Sequence, residues 1–151
     1  MVSNSNNYVI FKVNDLYCSI HCLDVQEIIR DISKITFIPQ ADEYITGVIN
    51  LRGKIVTIIN LPIYFGMEYS PSDLDSIVII DEEEECIGLL VSEVIDVVDI
   101  EHSQIEHTPA VPHELNPLFV KAVTEFKKEL TAILNVKEIL KVEVKEGELK
   151  G

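Results

Sequence analysis

The stretch Gly47-Val-Ile-Asn-Leu-Arg-Gly-Lys-Ile-Val-Thr-Ile-Ile-Asn-Leu61 restricts the fold more than any other part of the chain. Two apolar runs, Val48 to Leu51 and Ile55 to Ile59, flank Arg52, Gly53 and Lys54. Branched aliphatic residues suit strands, and glycine takes the positive φ that a tight reversal needs. The stretch predicts a β-hairpin with a basic tip, with Gly47 and Gly53 as structural turn glycines.

That tip sits on an acidic body. Lys and Arg number 12 against 26 Asp and Glu, a formal charge of −14. Such a surface repels phosphate backbones and anionic lipid, which argues against nucleic-acid binding and membrane attachment. The chain is 47% hydrophobic without a single Trp, so aliphatic side chains must fill its core. Cys18, Cys22 and Cys86 have no framework spacing, which fits core-filling thiols in a reducing compartment. Met1 to Asn7 is polar, and no apolar run approaches the roughly 20 residues that span a bilayer. A cytoplasmic location is expected.

Along the chain, Val9, Phe11 and Val13 alternate with Tyr8, Ile10 and Lys12, and Leu16, Cys18 and Ile20 repeat the pattern after Asn14-Asp15. This predicts an opening hairpin. Val25, Ile28 and Ile29 then fall at i, i+3 and i+4, which predicts a short helix over 24–30 with Asp24 as its N-cap. Ile35 to Ile38 is β-prone up to Pro39, and Leu61 to Gly66 reads as a helical turn closed by glycine. The loop from Gly66 to Asp75 is the best boundary, with a first barrel expected over 8–70 and a second over 76–140. Beyond it come a hairpin with an acidic tip (Ile77 to Val91), a stretch at Val94 to Ile100 whose spacing fits a period of 2 or about 3.6 and leans to strand, and a proline-bearing connection to Pro117. A last hairpin turns at 126–129, a short helix starts after Asn135, and the charged tail over 143–151 is expected to fray. Many short strands with frequent turns point to a mainly β chain built as a sandwich or barrels. The two halves resemble one another in outline, with no residue-level repeat evident.

For catalysis the sequence offers no Gly-rich phosphate loop, no Walker lysine and no Gly-x-Ser-x-Gly elbow. Cys18 and His21 lie on one predicted strand with opposite parity, so they point to opposite faces. His102, His107 and His113 alternate with Glu101, Glu106 and Glu114, but their spacing matches no closed metal site. The acidic run Asp81 to Glu85 lacks the ligand spacing of a calcium loop. No cofactor and no metal are expected. A small metal-dependent β-barrel enzyme is the least favoured reading.

Asp24-Val-Gln-Glu-Ile28, Pro39, Gly47-Val-Ile-Asn-Leu-Arg-Gly53, Asn60-Leu61, Phe65-Gly66 and Gly88-Leu-Leu-Val91 together resemble the CheW-type chemotaxis coupling proteins, in order and spacing over roughly residues 8 to 141. The resemblance implies two packed five-stranded SH3-like β-barrels with a hydrophobic groove between them. It implies a non-enzymatic adaptor linking methyl-accepting chemoreceptor tips to the regulatory domain of a CheA-type histidine kinase. Residue by residue, Val25, Glu27 and Arg52 match positions associated with receptor contact, and Gly88 and Val97 match positions near the same groove. No kinase-binding residue is assigned. Thr57 stands where the family usually has proline, Ser92 where it has aspartate, and Ala122 where it has glycine. Pro62-Ile63-Tyr64 replaces positions that are often basic. These departures leave open a paralogous scaffold that binds kinase regulatory domains or like barrels without touching a receptor.

Overall fold

In the computed structural model, residues 6–39, 42–82, 85–107 and 111–142 are described. Their strands are β1 (Asn7–Val13), β2 (Leu16–His21), β3 (Val25–Ile29), β4 (Thr36–Phe37), β5 (Ile45–Leu51), β6 (Lys54–Asn60), β7 (Ser76–Glu82), β8 (Glu85–Val91), β9 (Glu93–Asp99), β10 (Val120–Phe126) and β11 (Glu129–Leu134). One helical turn, α1 (Leu61–Tyr64), follows β6 and another, α2 (Val136–Ile139), follows β11. The strands form a five-stranded sheet ordered β10-β11-β2-β1-β9 and a six-stranded sheet ordered β3-β7-β8-β6-β5-β4. The sixth strand beyond the expected five is the two-residue β4.

The sheets do not divide the chain at the Gly66–Asp75 loop, which corrects the expected barrels over 8–70 and 76–140. β1 and β2 join β9, β10 and β11, while β7 and β8 join β3 to β6. Each half of the sequence gives its first hairpin to the other half's barrel. The parallel pairings of β2 with β11 and of β8 with β6 fix this exchange, and parallel neighbours cannot come from one hairpin.

The shared arrangement is a residue-by-residue repeat. Phe11 pairs with Cys18 as Ile80 pairs with Ile87. The β3–β7 register shifts between Val25 and Glu27, and the matching β9–β1 register shifts where Val94 and Asp96 face Phe11 and Ile10. Thr36 pairs with Val48 on β5, and Glu106 bridges Val123 on β10. Bulges between Ile45 and Gly47 and between Val120 and Ala122 match as well. Asn60 and Asn135 cap the two helical turns, their side chains accepting from the N–H groups of Ile63 and Glu138.

Burial follows from this exchange. One core lies between the sheets and takes Val9, Phe11, Cys18 and Ile20 from one, Ile59, Val78, Ile80 and Leu89 from the other, with Leu61 and Ile139 from the helical turns. A second core, Ile49, Val56, Ile58, Ile77, Ile79 and Leu90, belongs to the six-stranded sheet alone. Alternate residues of β7 therefore serve different cores, which is why Ile77 to Ile80 reads as an unbroken apolar run.

The predicted helix over 24–30 is strand β3. Its bulge explains the misleading spacing. With Gln26 as the extra residue, Val25 and Ile28 turn to the same face and pack on the shared core, while Ile29 packs on the second core. A strand with one inserted residue thus imitates an i, i+3 pattern. Asp24 ends a short 3₁₀ turn instead of capping a helix; His21 Nδ1 accepts the Leu23 N–H at 3.1 Å there. Of the acidic tip, 83–84 lie outside the described residues, as does the tail over 143–151.

Candidate functional site: the basic hairpin tip and the strand beside it

The β5–β6 hairpin reverses through Arg52 (φ 52°) and Gly53 (φ 84°). Consecutive left-handed residues match the twist of paired strands. Glycine adopts this conformation freely, whereas for arginine it costs roughly 1–2 kcal/mol. Asn50 offsets part of that cost, its Oδ1 accepting the Gly53 N–H at 2.9 Å. The Asn-Leu-Arg-Gly run is thus a self-locking turn that holds an arginine outward. Asn50 was readable in the sequence as an Asn-x-x-Gly pattern, yet its role needed the turn geometry.

Arg52 Nη2 donates to Glu27 Oε1 on β3 at 2.5 Å, the arginine side chain 63% exposed and the glutamate 31%. An exposed pair adds about 0–1 kcal/mol to stability, so its main effect is to aim the guanidinium. Beside it, the Cys86 thiol on β8 donates to Gln26 Oε1 at 3.5 Å. Burial pushes that thiol above its ordinary value, Lys54 working against the shift and Asp81 and Glu27 adding to it. The group is a neutral thiol at physiological pH and no nucleophile. This patch offers a planar multi-donor cation, a carboxylate that orients it, a second cation at Lys54 and the exposed Ile55 side chain. These are the elements of a protein-binding surface.

The other expected site residues separate. Val25 is half-buried on β3 against the shared core. Val97, 51% exposed, lies on β9 of the other sheet opposite Val9, on the face that carries that core. Val25 and Val97 therefore edge the same inter-sheet core from different sheets. Gly88 is turned inward: a Cβ there would lie 2.5 Å from Ile58 Cδ1 and 2.9 Å from Ile77 Cγ2. It makes room for the second core and presents nothing to a partner. Gly53 is a turn glycine as expected, whereas Gly47 lies within β5, where a Cβ would stand 2.1 Å from the Thr36 carbonyl oxygen. Close approach of β4, not a reversal, requires that glycine.

Thr57 is paired on both sides, with Val48 and with Ile87. Ser92 Oγ accepts the Asn14 N–H at 2.8 Å, which ties the first turn to the start of β9. Ala122 is buried at the place that Gly47 holds in the other sheet. Tyr64 and Phe65 pack with Tyr44 and Phe119. Burial pushes the Cys18 thiol up to about 12. Among the described residues no three His, Cys, Asp or Glu side chains form a metal-holding group, and no helix is long and apolar enough to cross a membrane.

Residues 7–144 match the CheW-like domain family. The probable chemotaxis protein CheW of Rhizobium etli is 26% identical over 87% of this chain and 84% of its own. The chemotaxis protein CheW of Bacillus subtilis is 27% identical over 92% of this chain and 89% of its own. Among solved structures, the scaffolding protein TtCheW from Thermoanaerobacter tengcongensis superimposes with a TM-score of 0.77 at 31% identity, covering 87% of this chain and 85% of that one.

Proposed function

The chain belongs to the CheW-like domain family, and from that premise we propose that it couples chemoreceptor tips to a CheA-type histidine kinase in the cytoplasm. Its membership makes it a chemotaxis scaffold and not an enzyme. In this reading Arg52 meets the receptor tip, aimed by Glu27, while Val25 and Val97 supply apolar rims on either side of the groove between the barrels. Gly88 acts only indirectly, by keeping the second core tightly packed behind that surface.

The observation that carries the proposal is the Arg52–Glu27 pair at the end of a self-locked turn. The chain accepts left-handed strain at an arginine and so holds a charged fork in solvent, where it adds little to stability. Coupling follows if the scaffold binds the kinase's active and inactive states with different affinity, since equal affinity shifts nothing.

Pull-down with a soluble receptor fragment and, separately, a kinase regulatory domain tests this. Arg52→Glu reverses the charge at an interface centre and is expected to lower receptor capture about 30-fold or more, corresponding to at least ~2 kcal/mol at a hot spot. Kinase-domain binding and the thermal midpoint stay as in the parent. Receptor capture unchanged by the substitution removes Arg52 from the interface. Regulatory-domain binding with no receptor capture by the parent chain favours the paralogous scaffold instead.

A further inference from the structure

The internal repeat provides a control for every surface of the molecule, because each position in one sheet has a counterpart in the other. Counterparts differ in character at several places, and one group of differences lies together at a cavity. Tyr8 pairs with His21 at the end of the β1–β2 hairpin, and their rings meet edge to face at 4.9 Å. Their counterparts at the end of β7–β8 are Ile77 and Leu90, which pair in the same way and are buried in the second core. Lys137 stands where the other unit has the buried Pro62, one residue after the first residue of each helical turn. Lys121 is the extra residue of the β10 bulge, at the place of Thr46 in β5. A bulge re-aims the side chain it carries.

Where the six-stranded sheet has the buried Ile77, Leu90 and Pro62, the five-stranded sheet has Tyr8, His21 and Lys137 at an opening. It is a cavity of about 290 Å³, lined by Tyr8, His21, Asp24, Lys121, Asn135 and Lys137 among others. The fold does not require polarity at three of these six positions, since their counterparts Ile77, Leu90 and Pro62 are apolar. The Tyr8 hydroxyl is held protonated by burial and is a donor. Asn135 accepts at Oδ1 from Glu138, so its amide donors are directed elsewhere. His21 accepts the Leu23 N–H at Nδ1. Asp24 is the one carboxylate of the six.

We propose that this cavity binds a small phosphorylated molecule, its phosphate held between Lys121 and Lys137 and a hydroxyl or amine donated to Asp24. Its size lies at the low end of ligand pockets, which fits a compound of a few carbons and excludes a dinucleotide. The site is built mainly on the five-stranded sheet, with Asp24 supplied by the turn that leads into β3, and it does not depend on the receptor assignment.

Isotope-labelled chain, titrated at constant ionic strength with glycerol phosphate and with inorganic phosphate, tests the proposal by NMR. Saturable shifts are expected at Lys121, His21 and 135–137, with glycerol phosphate several-fold tighter. The double variant Lys121→Ala/Lys137→Ala is expected to weaken binding about tenfold or more, whereas Lys12→Ala/Lys127→Ala on the same sheet leaves it unchanged. Asp24→Asn removes the preference for glycerol phosphate. Both lysines are exposed, so the double variant keeps the parent's melting temperature; should it unfold, Lys121→Gln alone gives the same reading. Shifts that grow linearly without saturation, that spread over all lysines, or that persist in the lysine variants overturn the site. Equal affinity for the two probes overturns the hydroxyl contact to Asp24.

Discussion

Arg52–Gly53 and Lys127–Lys128 turn equivalent hairpins, one on each sheet, and both pairs are left-handed. At the first tip glycine takes one of the two strained positions, and Arg52 reaches Glu27 on the neighbouring strand. At the second, lysines at φ 50° and 70° take both. The counterpart of Glu27 there is Asp96, whose Oδ1 accepts from the N–H of Val97, while Lys127 lies over the Phe126 ring at 5.4 Å. Phe126 in turn packs on Tyr17, which stands where the first unit has Cys86. One backbone design has thus been given an ion pair at one end and a cation–aromatic cluster at the other. The difference shows that the turn conformation belongs to the fold, while the chemistry it displays is chosen separately in each unit.

The sharpest break in that comparison is expected at Gly47 and Ala122. A Cβ at Gly47 would overlap the Thr36 carbonyl, a backbone atom that cannot step aside. Gly47→Ala should lower stability by about 3 kcal/mol in urea unfolding, through overpacking and displacement of β4. Ala122→Gly, at the matching place, should cost no more than about 1 kcal/mol. Equal losses would show that the Thr36 carbonyl does not set the two bulges apart.

The caps come next. Asn60 is buried and Asn135 half-buried, so an alanine at the first leaves a less hydrated N–H unsatisfied. Asn60→Ala should cost about 2 kcal/mol and Asn135→Ala about 1 kcal/mol, read from the same unfolding curves. Exchanging the turn residues gives a smaller effect of opposite sign at the two tips. Lys128→Gly should raise stability by about 1 kcal/mol and Gly53→Lys lower it by a similar amount, seen as thermal midpoints moving in opposite directions. The smallest effect is the coupling of Glu27 with Arg52. A double-mutant cycle to alanine should give less than about 1 kcal/mol, because both groups are solvated. A much larger coupling would make the pair a structural clamp and weaken its reading as an aimed contact.

The opening hairpin, the Asn-Leu-Arg-Gly reversal, the last hairpin and the two asparagine-capped turns were legible because each is specified within a few neighbouring residues. β3 was not, since its bulge exists only through pairing with β7, and a propensity argument on Val25, Ile28 and Ile29 has no access to that partner. Arg52 and Glu27 were legible as candidates, and their contact required the sheet to curl β3 toward the hairpin tip. Gly88 shows the opposite case. Its sequence block fits a surface role, yet the alternation of β8 directs it into the second core.

Residue pattern alone specifies that the chain is mainly β, where its hairpins reverse, and that a cation stands at a glycine-bearing tip on an acidic body. Periodicity, turn chemistry and charge are local or additive properties, so they survive without a partner strand. Which hairpin joins which sheet, and with it the repeat, the shared core and the polar cavity, follows from pairing in three dimensions. Parallel pairing between β2 and β11 and between β8 and β6 links residues far apart in the chain. Such pairing leaves no local signature, because each strand's own pattern is equally satisfied by either sheet.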